Sequence, residues 1–312
     1  MNSLLFRLYL MVLALGVNFV PQEKYQEKVA QIKTMDDKNI GVDLQGWQYK
    51  KLVSESSGII HRYYEYSSEK PDAPYMIMLH GLSLDGRTFI HYKSLSEQYN
   101  LLAYDFPERD DYYRGYEGDF STMVEDFAVQ KGIDTGVVFG VSFGGIVAIR
   151  LASTASELHV SHLILASTQV MGVSEEDRRR SSKLSEWIGD KPDYKIYWIV
   201  DRMLQYFDAS EQVAPLLRIK HPDFYRKVIT DAGGYNGAAD ARRISCPVLV
   251  LQGSDDDLFS TEDARNIKDY VPWSDVEIIP NGSHAMIYLH GKEIAWKINR
   301  WIESGQLLAG QR

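Results

Sequence analysis

The chain has 312 residues, of which 45% are hydrophobic, 25% charged and 12% aromatic. This composition is ordinary for a globular protein, and it excludes a disordered chain, a collagen-like repeat and a small disulfide-stapled fold. The formal net charge of −9 argues against a nucleic-acid partner, and the single cysteine, Cys246, excludes an intramolecular disulfide and a cysteine-rich metal site.

The amino terminus carries an apolar segment. Residues 4–20 are apolar apart from Arg7, Gly16 and Asn18. A positive start, an apolar stretch and a small residue near its end are typical of a signal peptide. The run is slightly shorter than the roughly 20 residues of a membrane span, so a cleaved peptide, an uncleaved anchor and a buried amphipathic helix all stay open. We expect membrane attachment or export of the chain rather than a cytoplasmic location.

A polar linker over residues 21–46, with a helical pattern over 22–38, precedes eight β-rich runs. The first two runs alternate in polarity, as an antiparallel edge hairpin does. The later ones are continuously apolar, which suits strands that are buried on both faces of a parallel sheet. The runs begin at residues 47, 59, 75, 101, 137, 162, 247 and 276.

Helical patterns separate several of these runs, and they lie at 121–132, 144–157, 261–271 and 289–304. This alternation predicts an α/β fold with an open, mostly parallel sheet and helices on both faces. Residues 169–245 interrupt it with helical and aromatic stretches but no convincing buried strand. We therefore expect one domain over 47–312 with a helical insertion at about 169–245.

The strongest chemical motif is Gly140-Val141-Ser142-Phe143-Gly144-Gly145, which directly follows the run at 137 and directly precedes a helical pattern. A G-x-S-x-G pattern is weak by itself. Between a strand and a helix, however, it predicts a sharp turn that exposes the serine at a helix N-terminus, where N–H groups favour a developing anion. The alternative is a glycine-rich turn without chemistry.

A serine nucleophile needs a base, and the base needs an acid to orient it. His284 follows the run at 276, on the rim of the sheet where Ser142 is expected, and His290 is the fallback. Three consecutive acids at 255–257 follow the run that ends at Gly253. The residues alone leave the choice among these three open.

A fourth element is His80-Gly81-Leu82, at the end of the run that begins at 75. Gly81 allows the chain to turn and to present the backbone N–H of Leu82 toward the serine. Leu82 and Phe143 would then form an oxyanion hole, in which one donor is typically worth about 10²–10³ in rate. We interpret the side chain of His80 as a buried group that shapes the loop.

Together these motifs resemble the α/β-hydrolase fold family, of the lid-bearing fold-1 type, over roughly residues 47–304. The matching segments are HGLSLDGRTF, GVSFGG, CPVLVLQGSDDDLF and NGSH, in the family's order of serine, acid and histidine. The family's acid usually stands three residues after the strand-end glycine, and the insertion corresponds to its helical lid. The resemblance implies Ser142 as nucleophile, His284 as base, Asp256 as orienting acid, and the N–H groups of Leu82 and Phe143 as oxyanion donors.

The implied reaction is hydrolysis of an ester in a small-molecule acyl substrate through an acyl-enzyme, with no metal or organic cofactor. Other chemistry of the same triad stays open, namely that of a thioesterase, an amidase or peptidase, a C–C hydrolase or an acyltransferase, and so does a non-hydrolytic ligand-binding member. One departure is that the family's glycine-rich loop after the fourth strand is missing. Only Asp105 keeps its place there, and we interpret it as structural.

Overall fold

The computed structural model describes residues 20–34, 43–107, 118–170, 190–206, 221–233 and 237–309. The predicted leader at 4–20 lies outside these residues except for its last position. Within the described ranges, every helix is too short or too polar to cross a bilayer.

Eight strands of the described chain form one sheet. They are β1 (Gln48–Val53), β2 (Ile60–Tyr66), β3 (Tyr75–Leu79), β4 (Asn100–Asp105), β5 (Thr135–Val141), β6 (His159–Ala166), β7 (Val248–Gly253) and β8 (Asp275–Ile279). Their order across the sheet is β1-β2-β4-β3-β5-β6-β7-β8. β1 and β2 form the predicted antiparallel edge hairpin, and β2 also pairs antiparallel with β4. The other pairings are parallel, which confirms the predicted mostly parallel sheet.

Helices fill the connections between these strands. The α-helices are α1 (Gln22–Thr34), α2 (Phe120–Gln130), α3 (Phe143–Thr154), α4 (Asp193–Tyr206), α5 (Pro222–Gly233), α6 (Gly237–Ala241), α7 (Thr261–Arg265), α8 (Met286–Leu289) and α9 (Gly291–Ala309), and 3₁₀ helices span Gly86–Glu97 and Asn266–Asp269. The predicted helix at 261–271 is thus divided into α7 and a 3₁₀ turn. The predicted helix at 289–304 is α9, with α8 as a separate turn before it.

Two apolar layers flank the sheet, because successive side chains of a strand point to opposite faces. Ile77 and Leu79 of β3 are buried in one layer with residues of α2 and α3. Met76 and Met78 are buried in the other, with residues of α9 and of the longer 3₁₀ helix. This arrangement confirms the prediction of helices on both faces.

The longer 3₁₀ helix was not predicted, because its residues GRTFIHYKSLSE follow neither a helical nor a strand period. Asp85 caps it. The carboxylate accepts from the backbone N–H of Arg87 at 2.9 Å and pairs with the Arg87 guanidinium at 2.7 Å. Both side chains are buried, so this local pair fixes the start of the helix.

Among its described residues, the predicted insertion at 169–245 consists of α4, α5, α6 and connecting turns, without a strand. Its bounds as a unit stay a prediction. Helix α4 packs against α1, where the Tyr25 hydroxyl donates to Asp201 at 2.7 Å. The helical part of the predicted linker is therefore docked on the insertion.

Candidate active site

Ser142 lies at the turn between β5 and α3. Its φ of 51° and ψ of −116° fall where non-glycine residues are rare, so the backbone is strained at this position. The Ser142 N–H donates to the carbonyl oxygen of Ala166 at 2.9 Å, and the Thr168 hydroxyl donates to the Ser142 carbonyl oxygen at 2.7 Å. These two hydrogen bonds hold the strained turn at the end of the neighbouring strand.

Gly144 allows α3 to begin directly beside β3. A Cβ at this position would lie 2.2 Å from the carbonyl oxygen of Leu79 and 2.6 Å from that of His80, so only glycine fits. The first N–H groups of a helix have no acceptor within it and favour negative charge. Ser142 therefore stands where a negative charge that develops near its Oγ is stabilised.

His284 reaches the serine from the loop after β8. Its Nε2 lies 3.1 Å from Oγ of Ser142, and its Nδ1 lies 3.0 Å from Oδ2 and 3.2 Å from Oδ1 of Asp256. When Nδ1 carries the proton and donates to the carboxylate, Nε2 is left to accept from the serine hydroxyl. The side chain of His284 is 31% exposed, so the imidazole borders both solvent and the buried acid.

Asp256 is the buried member of the three acids, whereas Asp255 and Asp257 are exposed. Its Oδ1 accepts from the backbone N–H groups of Leu258 at 2.9 Å and Phe259 at 3.1 Å. Burial alone would raise the pKa of the Asp256 carboxyl. The hydrogen bond and charge of His284, with those two N–H groups, outweigh burial and hold this pKa below its ordinary value. Asp256 is thus the acid that the fold brings to His284, and it is held as a carboxylate.

Gln252 is a neighbour of the acid that the sequence analysis missed. Its side chain is fully buried, and Nε2 donates to Oδ2 of Asp256 at 3.0 Å and to the carbonyl oxygen of Phe259 at 2.8 Å. The signal was a single polar residue in the apolar run PVLVLQG. A buried amide in a strand requires partners, and here the partners include the acid.

The two predicted oxyanion residues flank the serine. Phe143 is the first residue of α3, so its N–H has no acceptor within the helix. On the other side, a Cβ on Gly81 would lie 3.4 Å from Cβ of Ser142, which places the loop of Leu82 against the serine. Leu82 itself is partly buried against the apolar core.

The side chain of His80 holds this loop from inside, as interpreted from the sequence. It is fully buried, with Nδ1 2.7 Å from the carbonyl oxygen of Gly81 and Nε2 accepting from the Phe106 N–H at 3.3 Å. Asp105 lies 3.3 Å from the same Nε2 and 3.5 Å from the guanidinium of the buried Arg62. His80 and Asp105 therefore belong to a structural network beneath the site.

Of the two candidate histidines, the structure brings His284 to Ser142, and the fallback His290 lies elsewhere. His290, between α8 and α9, lies 3.7 Å from the carboxylate of Glu293. Within the described ranges, there is no group of three or more histidine, cysteine or acidic side chains that could hold a metal ion.

A model of the family described as "Alpha/beta hydrolase family" matches residues 76–295, which is more than half of the chain. The chain belongs to the alpha/beta hydrolase family. With hydrolases among its relatives, this family member is a hydrolytic enzyme.

Relatives of this hydrolase include RutD of Klebsiella pneumoniae (strain 342), which is named for carbamate hydrolysis. It is 24% identical over 242 residues, covering 69% of this chain and 86% of RutD. A solved esterase from Thermogutta terrifontis has a TM-score of 0.64 at 17% identity, covering 82% of this chain and 98% of its own. A bacterial membrane phospholipase A has a TM-score of 0.61 at 19% identity, and the match covers 96% of this chain and 97% of the phospholipase chain. The two structural likenesses show that the fold is shared.

Proposed function

We propose that the chain is a serine hydrolase that cleaves ester bonds through Ser142, His284 and Asp256. One observation carries this proposal. A continuous series of short contacts runs from Oγ of Ser142 to His284 Nε2 at 3.1 Å and from His284 Nδ1 to Asp256 at 3.0 Å. A serine nucleophile requires a base that accepts its proton and an acid that orients the base, and these three residues are in contact in that order.

Acylation begins when Oγ of Ser142 attacks the carbonyl carbon of the ester while His284 Nε2 accepts the hydroxyl proton. Asp256 stabilises the imidazolium that results. The backbone N–H groups of Leu82 and Phe143 hold the oxyanion of the tetrahedral intermediate. This intermediate collapses when His284 returns the proton to the leaving alcohol, and the acyl group stays on Ser142.

Deacylation repeats these steps with water. His284 accepts a proton from the water that attacks the acyl-enzyme, and the second tetrahedral intermediate uses the same two N–H donors. When it collapses, the carboxylic acid leaves, and the proton on His284 returns to Oγ of Ser142. The strained turn holds Oγ of Ser142 at the start of α3, where it attacks the ester carbonyl in acylation and leaves as the hydroxyl in deacylation.

Carbamate hydrolysis is the second candidate for this site. The relatives named for carbamate hydrolysis favour it, and attack of Ser142 on a carbamate carbonyl would need the same base and oxyanion donors. In both candidates the substrate is a small molecule with an acyl-type carbonyl.

We also propose that residues 4–20 direct the chain to a membrane or to export. Support comes from the apolar run itself and its small residues near Gly16. The test is to express the full chain and measure its mass in the membrane, soluble and exported fractions. Full-length protein in the washed membrane fraction or a shortened exported chain supports the proposal, whereas a full-length chain in the cytoplasmic fraction alone contradicts it.

The experiment for the catalytic proposal is a substrate panel of nitrophenyl esters with increasing acyl length, one carbamate and one phospholipid. The carbamate and phospholipid are included because proteins similar to this chain are named for those activities. Ser142→Ala should lower kcat by at least about 10³-fold on every substrate that the wild type turns over. Ser304→Ala, a change of an exposed serine on α9, should leave it unchanged. Activity that survives Ser142→Ala, or no turnover by the wild type, would overturn the proposal.

A further inference from the structure

The insertion helix α5 contacts Ser83, the neighbour of the predicted oxyanion donor Leu82, and Phe143, the other predicted donor. From this we propose that Tyr225 of α5 is a positioning residue for the oxyanion hole, acting through Ser83. The inference rests on the proposed function, because it concerns the same two N–H groups.

Ser83 is the residue after Leu82, and it joins the oxyanion loop to the insertion. Its Oγ lies 2.8 Å from the hydroxyl of Tyr225, and this contact is buried. Ser83 is fully buried and has a φ of 60°, a left-handed conformation that a serine adopts only under constraint. The turn is closed by the N–H of Leu84, which donates to the carbonyl oxygen of Gly81 at 3.2 Å. The Tyr225 hydroxyl therefore holds the turn that presents the Leu82 N–H.

Phe224, the residue before Tyr225, reaches the other donor. It is fully buried, and its ring centroid lies 6.3 Å from that of Phe143 and 5.7 Å from that of Phe120. Phe143 supplies the second N–H, and its ring also packs 5.5 Å from Phe120. Two consecutive residues of α5 thus contact the two halves of the oxyanion hole separately.

Helix α5 is itself anchored. Arg226 donates to Asp193 at 2.6 Å and to the carbonyl oxygen of Lys191 at 2.9 Å, at the start of α4. Lys227 donates to the carbonyl oxygen of Gly118 at 2.7 Å, just before α2. Because these hydrogen bonds hold α5 on two sides, the helix has a fixed position from which Tyr225 can orient the loop of Leu82.

The position of the Leu82 N–H decides how strongly it stabilises the oxyanion. One such donor is worth about 10²–10³ in rate, and a misplacement of about 1 Å can cost about 10². Tyr225→Phe removes the hydroxyl and keeps the ring. Since the oxyanion exists only after attack, we expect kcat to fall about 10- to 100-fold while KM changes by less than about twofold.

The experiment compares Tyr225→Phe, Ser83→Ala and the double variant with the wild type in ester hydrolysis, and it records kcat, KM and Tm for each. Tyr104→Phe is the matched control, because its hydroxyl also lies in a buried contact, 2.9 Å from His61 Nδ1. Both single variants should lose kcat, and the double variant should lose no more than the worse single one, because the two groups act through one contact. Tyr104→Phe should lower Tm and keep kcat.

Three results would overturn the inference while leaving the proposed function intact. The first is a Tyr225→Phe variant whose kcat stays within twofold of that of the wild type. The second is a rise in KM at unchanged kcat, which would make Tyr225 a substrate contact instead. The third is an equal loss of kcat in Tyr104→Phe, which would assign the effect to stability. A wild type without any turnover would instead refute the proposed function, and the inference with it.

Discussion

The backbone N–H of Asp255 donates to the carbonyl oxygen of Gly282 at 2.9 Å, so the loops that carry the acid and the histidine are bonded to each other. The loops approach so closely that a Cβ on Gly253 would lie 2.0 Å from the same oxygen. The close approach of the two loops therefore requires a glycine at position 253. This approach sets the position of Asp256 relative to His284.

Gly253→Ala should separate these loops. Overpacking of this kind typically costs about 1–3 kcal/mol of unfolding free energy, and kcat should fall because the contact between Asp256 and His284 lengthens. Gly305→Ala is the control, since a Cβ there meets nothing within 4 Å, and it should stabilise α9 by up to about 1 kcal/mol. Urea unfolding and ester hydrolysis measure both effects. An unchanged kcat in Gly253→Ala would show that the loop contact does not position the acid.

Among the three adjacent acids, only Asp256 should matter for turnover. Asp256→Asn should lower kcat by about 10⁴-fold, because an amide no longer favours the tautomer of His284 that accepts the serine proton. Asp255→Asn and Asp257→Asn are matched controls on exposed positions and should stay within about threefold of the wild type. A loss that follows either neighbour instead of Asp256 would contradict the assignment.

Gln252→Met should lower kcat about tenfold with little change in KM. The substitution keeps the volume of the side chain but removes the N–H that donates to Asp256 at 3.0 Å, so the carboxylate is less firmly oriented. Gln48→Met on the exposed edge strand β1 is the control and should have the kinetics of the wild type. Equal kinetic constants for both variants would exclude a role for Gln252 in turnover.

Another buried histidine, His61, should make the stability of the fold depend on pH. His61 is fully buried, with Nδ1 2.9 Å from the Tyr104 hydroxyl and Nε2 2.9 Å from Asp126. Burial lowers the pKa of His61 below its ordinary value of 6.5, although Asp126 opposes this shift. The folded chain therefore binds a proton at His61 less readily than the unfolded chain does. The stabilisation is present above pH 6.5 and is lost as the pH falls below it.

The urea midpoint should accordingly be lower at pH 5 than at pH 7. One such proton changes the unfolding free energy by at most about 1.4 kcal/mol per pH unit. Burial also lowers the pKa of His91 and His162, so these groups act in the same direction. His61→Gln should reduce the pH dependence without abolishing it. The same slope in wild type and His61→Gln would exclude His61 as its source.

The predicted parts of this molecule are those that a local pattern encodes. Continuous apolar runs predicted the parallel strands, and a G-x-S-x-G turn between a strand and a helix placed Ser142 beside a helix N-terminus. The acid that orients His284 was not encoded in a local pattern. The residues alone left three candidates, and only the fold shows that one of them is buried against His284, because burial depends on how the loop after β7 turns.

Contacts between distant segments could not be predicted in this way. Ser83 and Tyr225 are separated by 142 positions, and their contact depends on how the insertion packs on the sheet. Such a contact arises from tertiary packing, which overrides weak local preferences. The long 3₁₀ helix was missed for a different reason: its sequence has neither a helical nor a strand period, and a buried local pair of Asp85 and Arg87 fixes its start.

The central claim is that Ser142 is the nucleophile, and covalent labelling tests it most directly. The protein is treated with a fluorophosphonate, digested, and the adduct is located by tandem mass spectrometry. We predict one adduct, on Ser142, and no labelling of Ser142→Ala. Equal labelling of the two proteins, or an adduct on another residue of the wild type, would contradict the claim.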